Sequence, residues 1–206
     1  MITVVSGLPR SGTSLMLQMM VAGGLEPLTD GLRAADENNP KGYFEWELAK
    51  SLKQDPKAIA AAEGKVVKII SALLPLLPDD HEYRIVFMMR PLEEVIASQN
   101  SMLRRLGKEV RSTSTESVMT AFEKHLRDTE RFLATRGNMA VLKIEHAKVL
   151  ADPARQASRV AAFLGGGVKV ELMAAQVERS LHREKLASPH KGRSQPGTFA
   201  SVSSNY

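Results

Sequence analysis

Gly7 to Ser14 reads GLPRSGTS, placed directly after the β-branched run Ile2 to Ser6 and opening an apolar stretch from Gly12 to Gly23. Strand, glycine-rich turn and helix in that order make a loop suited to cradling a phosphate-type anion. Backbone N–H groups of the turn and of the first helical turn converge on one spot, where the helix dipole adds partial positive charge. Gly7 and Gly12 permit the close backbone approach that such a cradle needs. Ser11, Thr13 and Ser14 supply hydroxyl donors, while Pro9 and Arg10 complete the loop. The same residues can also form a tight turn that binds nothing.

The position that holds lysine in a P-loop NTPase is Thr13 here, and the loop's single cation is Arg10. Such an NTPase also uses a strand-end aspartate to hold magnesium. In this chain the apolar run 65–71 carries Lys68, the run 83–89 ends at Arg90, and the run 139–144 leads into Glu145 and His146. No strand end offers the aspartate, and two offer cations. The expected site therefore handles anion charge with protein cations and no metal, which argues against nucleotide hydrolysis or phosphoryl transfer. His81, His125, His146, His182 and His190 are scattered without metal-ligand spacing. His125, in a helical pattern, reads as a surface or packing residue and not as a base.

These residues need elements to position them. The runs 2–6, 65–71, 83–89 and 139–144 have strand length and composition. Helices are expected over 12–23, 45–52, 92–106, 114–136 and 152–164. The second-last of these sets Val118, Phe122, Leu126 and Leu133 on one face. The last starts at Asp152 as N-cap with Pro153 in its first turn. Glu93 and Glu94 suit the positive start of the 92–106 helix. Residues 26–44 read as loop, and Leu73 to Pro78 as an apolar segment broken by proline. Strands alternating with helices imply an α/β fold: a doubly wound, mainly parallel sheet with helices on both faces, of the P-loop nucleotide-binding kind. We divide the chain into an α/β domain over 1–187 and a polar tail over 188–206, which is either disordered or a lid.

Bulk composition sets limits on this reading. A chain of 206 residues with 43% hydrophobic and 25% charged residues suits one α/β domain. With no cysteine, disulfides, Cys-ligated metals and thiol nucleophiles are excluded. The N-terminus lacks a basic leader, and no apolar run approaches the roughly 20 residues of a membrane span. The expectation is a soluble, cytoplasmic protein without a membrane span. A net charge of +5 favours an anionic partner. Dispersed basic residues and 5% aromatics speak against nucleic acid.

The motif LPRSGTS before a helix resembles the 5′-phosphosulfate loop of sulfotransferases that use 3′-phosphoadenosine 5′-phosphosulfate (PAPS). Arg90 at a strand end and Ser98 eight residues later, in RPLEEVIAS, match the family's second signature. NPKGYFE over 39–45 and LKIEHAKVLADPARQASRVAAFLG over 142–165 resemble bacterial members, so the likeness spans most of 1–165. It implies that Pro9, Arg10, Ser11, Gly12, Thr13 and Ser14 bind the phosphosulfate, and that Arg90 and Ser98 bind the 3′-phosphate. Arg10 then takes the place of the loop lysine that stabilises the bridging oxygen of the leaving phosphate. Lys68 falls where the family has a strand lysine near the transferred sulfuryl group. Glu45 is the expected general base, with Glu37 and Asp36 behind it. Lys191, Gly192 and Arg193 resemble an Arg-Lys-Gly element that closes over the 3′-phosphate.

Two departures accompany the likeness. Ile70 stands where cytosolic members carry a catalytic histidine, and Leu15 where they carry a tryptophan that stacks on adenine. The residues also have structural readings: Arg90 as an ion pair with Glu93 or Glu94, Lys68 as a snorkelling strand-end lysine, Glu45 as a helix-start carboxylate. The expected activity is sulfuryl transfer from PAPS, with release of 3′-phosphoadenosine 5′-phosphate (PAP), to a hydroxyl or amine of a small-molecule, carbohydrate or lipid acceptor. The acceptor would be gripped by residues 26–44, 73–78 and 100–125. The rivals are a non-catalytic nucleotide-binding module of the same fold and a degenerate P-loop phosphotransferase. Oligomeric state is open.

Overall fold

Parallel strands need both faces covered, and the four apolar runs of this chain receive that cover from helices in between. The computed structural model describes residues 1–30, 46, 49, 51–107 and 114–177. Its strands are β1 (Ile2–Gly7), β2 (Val66–Lys68), β3 (Tyr83–Met89) and β4 (Met139–Glu145). They form one sheet in the order β2-β1-β3-β4, every pair parallel. Helices α1 (Thr13–Ala22), α2 (Leu92–Arg105), α3 (Thr115–Ala134), α4 (His146–Ala151), α5 (Pro153–Leu164) and α6 (Val170–Ala174) complete the described elements, together with 3-10 helices over Pro56–Ala62 and Ser71–Leu76.

Period-two alternation divides the strand side chains between two cores. Ile2, Val4, Val67, Ile69, Ile85 and Phe87 point one way, into a cluster with the 3-10 helices and α3. Val5, Val66, Val86, Met88 and Ile144 point the other way, against α1, α5 and α6. Methionines 16, 19, 20 and 88 are fully or almost fully buried in this second cluster, as core filling. On α3 the buried and half-buried positions include Val118, Phe122, Leu126 and Leu133, which is the expected stripe. Tyr83, buried at the start of β3, donates its hydroxyl to the Pro78 carbonyl at 3.1 Å, and burial pushes its ionisation far above the usual phenol range.

One expectation needs correction. The run 65–71 is a strand only over Val66–Lys68; Ile69 N–H still donates to Val5 at 3.1 Å, but the chain then turns into the 3-10 helix from Ser71. The ladder of β2 with β1, its sole ladder neighbour among the described strands, ends at Lys68 opposite Val5, two residues before β1 ends at Gly7. The helices α4 and α6 had no counterpart in the sequence pattern. They have six and five residues, too few for a helical period to show. The outer edge of β2 is covered by the chain at 26–28, where Leu28 N–H donates to Val66 and Val66 N–H to Glu26. Most of the expected 45–52 helix, most of the 26–44 loop and the whole 188–206 tail lie outside the described residues. Among the described residues no helix is long and apolar enough to cross a membrane.

Asp152 accepts from the Arg155 N–H at 3.0 Å, so the N-cap of α5 is as expected. Asp152→Ala should cost about 1 kcal/mol of unfolding free energy in urea titrations. Ile85→Ala, in a fully buried position on the central strand β3, should cost about 2–5 kcal/mol.

Candidate functional site

The loop after β1 and the turn after β3 leave the sheet side by side, because Gly7 stands opposite Met88 in the parallel register. The chain goes from β1 out to β2 and from β3 out to β4, so the strand order reverses between β1 and β3. A crevice opens at such a switch point, beyond the carboxyl ends of the strands.

At Gly7, φ is 146°, and a Cβ would sit 2.5 Å from Ser11 Oγ and 2.7 Å from the Met88 carbonyl oxygen. Only glycine lets the loop turn there. Ser11 N–H then closes a turn onto the Leu8 carbonyl at 3.1 Å. Arg10 adopts φ 70°, the one positive φ outside glycine among the described residues. A left-handed arginine costs of order 1–3 kcal/mol and persists only where its surroundings enforce it. The enforcement is visible: Arg90 donates from NH1 to the Arg10 carbonyl at 3.1 Å. Gly12 follows at φ 101° as the N-cap of α1, and a Cβ on it would meet His146 Cδ2 at 2.6 Å.

The start of α1 is electrically unlike those of its long neighbours. Ser114 caps α3, Asp152 caps α5, and α2 carries Glu93 and Glu94 in its first turn. The first turn of α1 has no acidic residue, and no side chain caps it. Its partial positive charge is therefore offered to whatever lies in the loop. Ser11 Oγ, buried within the loop, makes no hydrogen bond among the described residues.

Two long-range contacts bring the second expected anion site to this loop. Arg10 Nε donates to Ser98 Oγ at 3.1 Å, across a separation of 88 residues. Arg90, whose side chain is 8% exposed, also donates from Nε to Glu94 at 2.9 Å. The Glu94 ion pair foreseen as a structural alternative for Arg90 thus exists, but it is nearly buried and coexists with the bond to Arg10. Arg10, Arg90 and Ser98 form one connected group. Lys68 is buried at the end of β2, level with Val5 and on the α1 face of the sheet.

Pro9 is exposed, Ser14 half-buried and Thr13 buried, all around the start of α1. Asp36, Glu37, Glu45, Lys191, Gly192 and Arg193 lie outside the described residues. Ile70 is 36% exposed. Sequence reasoning missed the neighbour of Gly12: His146, 8% exposed, brings its ring to the loop from the end of β4. Its place directly after a strand was the available signal. Among the described residues no group of three or more His, Asp or Glu converges as a metal site.

No protein-family model matches the chain, and no curated protein matches it. Solved structures do. A sulfotransferase domain from the curacin biosynthetic pathway is 16% identical, with 91% of this chain and 92% of that chain covered at a TM-score of 0.50. A sulfotransferase from Mycobacterium tuberculosis H37Rv is 14% identical, covering 85% of this chain and 70% of that chain at a TM-score of 0.52. The protein has a sulfotransferase-like, P-loop-like α/β fold.

The Gly12 geometry makes a separable prediction. Gly12→Ala should destabilise the protein through two effects, the left-handed backbone and the collision with His146. Adding His146→Ala should relieve the collision and leave the backbone strain, so the double variant should regain about half of the loss. Equal stability of the single and double variants in urea unfolding would show that the ring does not constrain the loop.

Proposed function

We propose that the protein transfers a sulfuryl group from PAPS to a hydroxyl or amine acceptor. The observation that carries this reading is the direct linkage of two anion-binding elements: Arg10 in the loop reaches Ser98 in α2, and Arg90 reaches back to the Arg10 carbonyl. A donor with phosphate groups at both ends of a nucleoside needs two such elements at adjacent strand ends. The sulfotransferase-like fold supports the same assignment.

In this reading the loop residues Pro9 to Ser14 and the start of α1 hold the 5′-phosphosulfate. A phosphate oxygen is the partner we assign to buried Ser11 Oγ. Arg90 and Ser98 hold the 3′-phosphate, with Lys191, Gly192 and Arg193 assigned to close over it. Sulfuryl transfer is an in-line displacement in which positioning and charge stabilisation do most of the catalytic work. Arg10 and Lys68 are assigned to the charge that grows on the bridging oxygen and the sulfuryl oxygens. Glu45 is the carboxylate expected to take the acceptor's proton. The acceptor is a small molecule, carbohydrate or lipid, and the setting we assign is the cytoplasm, in keeping with a chain that has no cysteine.

Calorimetry with PAP should show binding that is indifferent to EDTA. Ser98→Ala leaves the Arg90–Glu94 pair intact and should weaken PAP about tenfold, the equivalent of one charge-assisted hydrogen bond. Arg90→Gln should weaken it further. A protein that ignores PAP and binds only ATP with Mg²⁺ is not a sulfotransferase.

A further inference from the structure

Just beyond β2 the chain enters its second 3-10 helix at Ser71, which is 1% exposed. Ser71 Oγ lies 2.8 Å from Nε2 of His125, a half-buried residue in the middle of α3. One helical turn on, Thr129 brings Oγ1 to 3.4 Å from the same nitrogen. The Thr129 hydroxyl proton is committed elsewhere, because it donates to the His125 carbonyl at 2.8 Å. Toward the ring, Thr129 therefore offers lone pairs alone.

The Thr129 lone pairs favour an N–H at Nε2, and in that tautomer, the one we assign, Ser71 Oγ accepts from the ring. Nδ1 is then the basic nitrogen, and among the described residues none hydrogen-bonds it. A neutral imidazole held by a hydrogen bond on one nitrogen, with a lone pair on the other, is the working arrangement of a general base.

Its position fits the reacting end of the sheet. Ser71 follows Lys68 by three residues, at most about 11 Å of extended chain. Ile69 between them still bonds to β1, at Val5. The imidazole thus stands at the same carboxyl-end rim as Arg10, Lys68 and Arg90, but on the α3 side of the sheet, opposite the face that carries α1.

We propose that His125 is the acceptor-side general base and Ser71 its positioning residue; this rests on the sulfuryl-transfer reading above. In the step, the acceptor oxygen bonds to sulfur and the bond from sulfur to the bridging phosphate oxygen breaks. The electron pair leaves on the phosphate of PAP, and the acceptor's proton passes to Nδ1 of His125. Glu45 is the rival for this proton.

NMR and transfer assays decide it. In nitrogen-15 NMR of the unaltered protein at neutral pH, His125 should show the Nε2–H tautomer, and an Nδ1–H tautomer overturns the proposal. With labelled PAPS and a panel of phenols, alcohols and amines, His125→Gln should slow transfer about 10²–10⁴-fold and leave PAP binding unchanged. His125→Ala should lose transfer equally and regain part of it with added imidazole, which a merely structural histidine would not allow. Ser71→Ala should slow transfer less and weaken the tautomer preference. If PAP binds and His125→Gln transfers at the parent rate while Glu45→Gln does not, Glu45 is the base and this proposal fails alone. If the parent protein does not bind PAP, the sulfuryl-transfer reading fails and this one with it.

Discussion

The carbonyl of Arg10 is held by a guanidinium from another strand end, and most of the site depends on that bond. Arg10 sits at φ 70° between two glycines that also have positive φ. Three such residues within six positions bend the chain back on itself, and a bent loop without an outside tie would relax. The tie comes from Arg90, donating to Arg10 at 3.1 Å. Arg90 can do so because β1 and β3 are neighbours in parallel register, with Gly7 opposite Met88. Sheet order, strand register and loop conformation are therefore one constraint seen at three scales. Moving β3 by a single residue would turn its alternate side chains to the wrong core and carry Arg90 away from the loop.

Local signals were sufficient for the elements that define this frame. The strand β3 follows its apolar run to the residue, over Tyr83–Met89, because it is buried on both faces and the run is bounded by polar residues. The N-cap at Asp152 and the stripe on α3 follow from side-chain chemistry within a few positions of chain. Where an element's extent depends on a distant partner, sequence said less. The run KVVKIIS has strand composition throughout, yet its ladder with β1 ends at Lys68. Short helices such as α4 and α6 each bury a residue, Val149 and Met173, in the core on the α1 side, which no local pattern announces.

The same division holds in the site. Gly7, Gly12, Arg10 and Arg90 were singled out one by one as residue types suited to anions at or beside a strand end, and Ser98 through the family resemblance. Their mutual contacts were not. The bond from Arg10 to Ser98 spans 88 residues, and that from Ser71 to His125 spans 54. His125 read as a surface or packing residue because one imidazole in a helical pattern carries no signal of its own. Its partners appear only when the fold brings Ser71 and Thr129 to the same nitrogen.

Glu94 has a place in the charge balance that its local role as a first-turn acid hides. Arg10, Lys68 and Arg90 share one rim with the positive end of α1, and Lys68 and Arg90 have little water to screen them. Like charges in such surroundings repel strongly. A carboxylate at 2.9 Å from Arg90, itself 12% exposed, offsets part of that repulsion and fixes the guanidinium plane. With Nε on Glu94, the rigid fork of the guanidinium can direct NH1 to the Arg10 carbonyl. Glu94 thus acts on the loop through Arg90. A lysine in Arg90's place would keep the charge and lose this transmission, because a single ammonium on a flexible stem cannot hold two acceptors in a fixed plane.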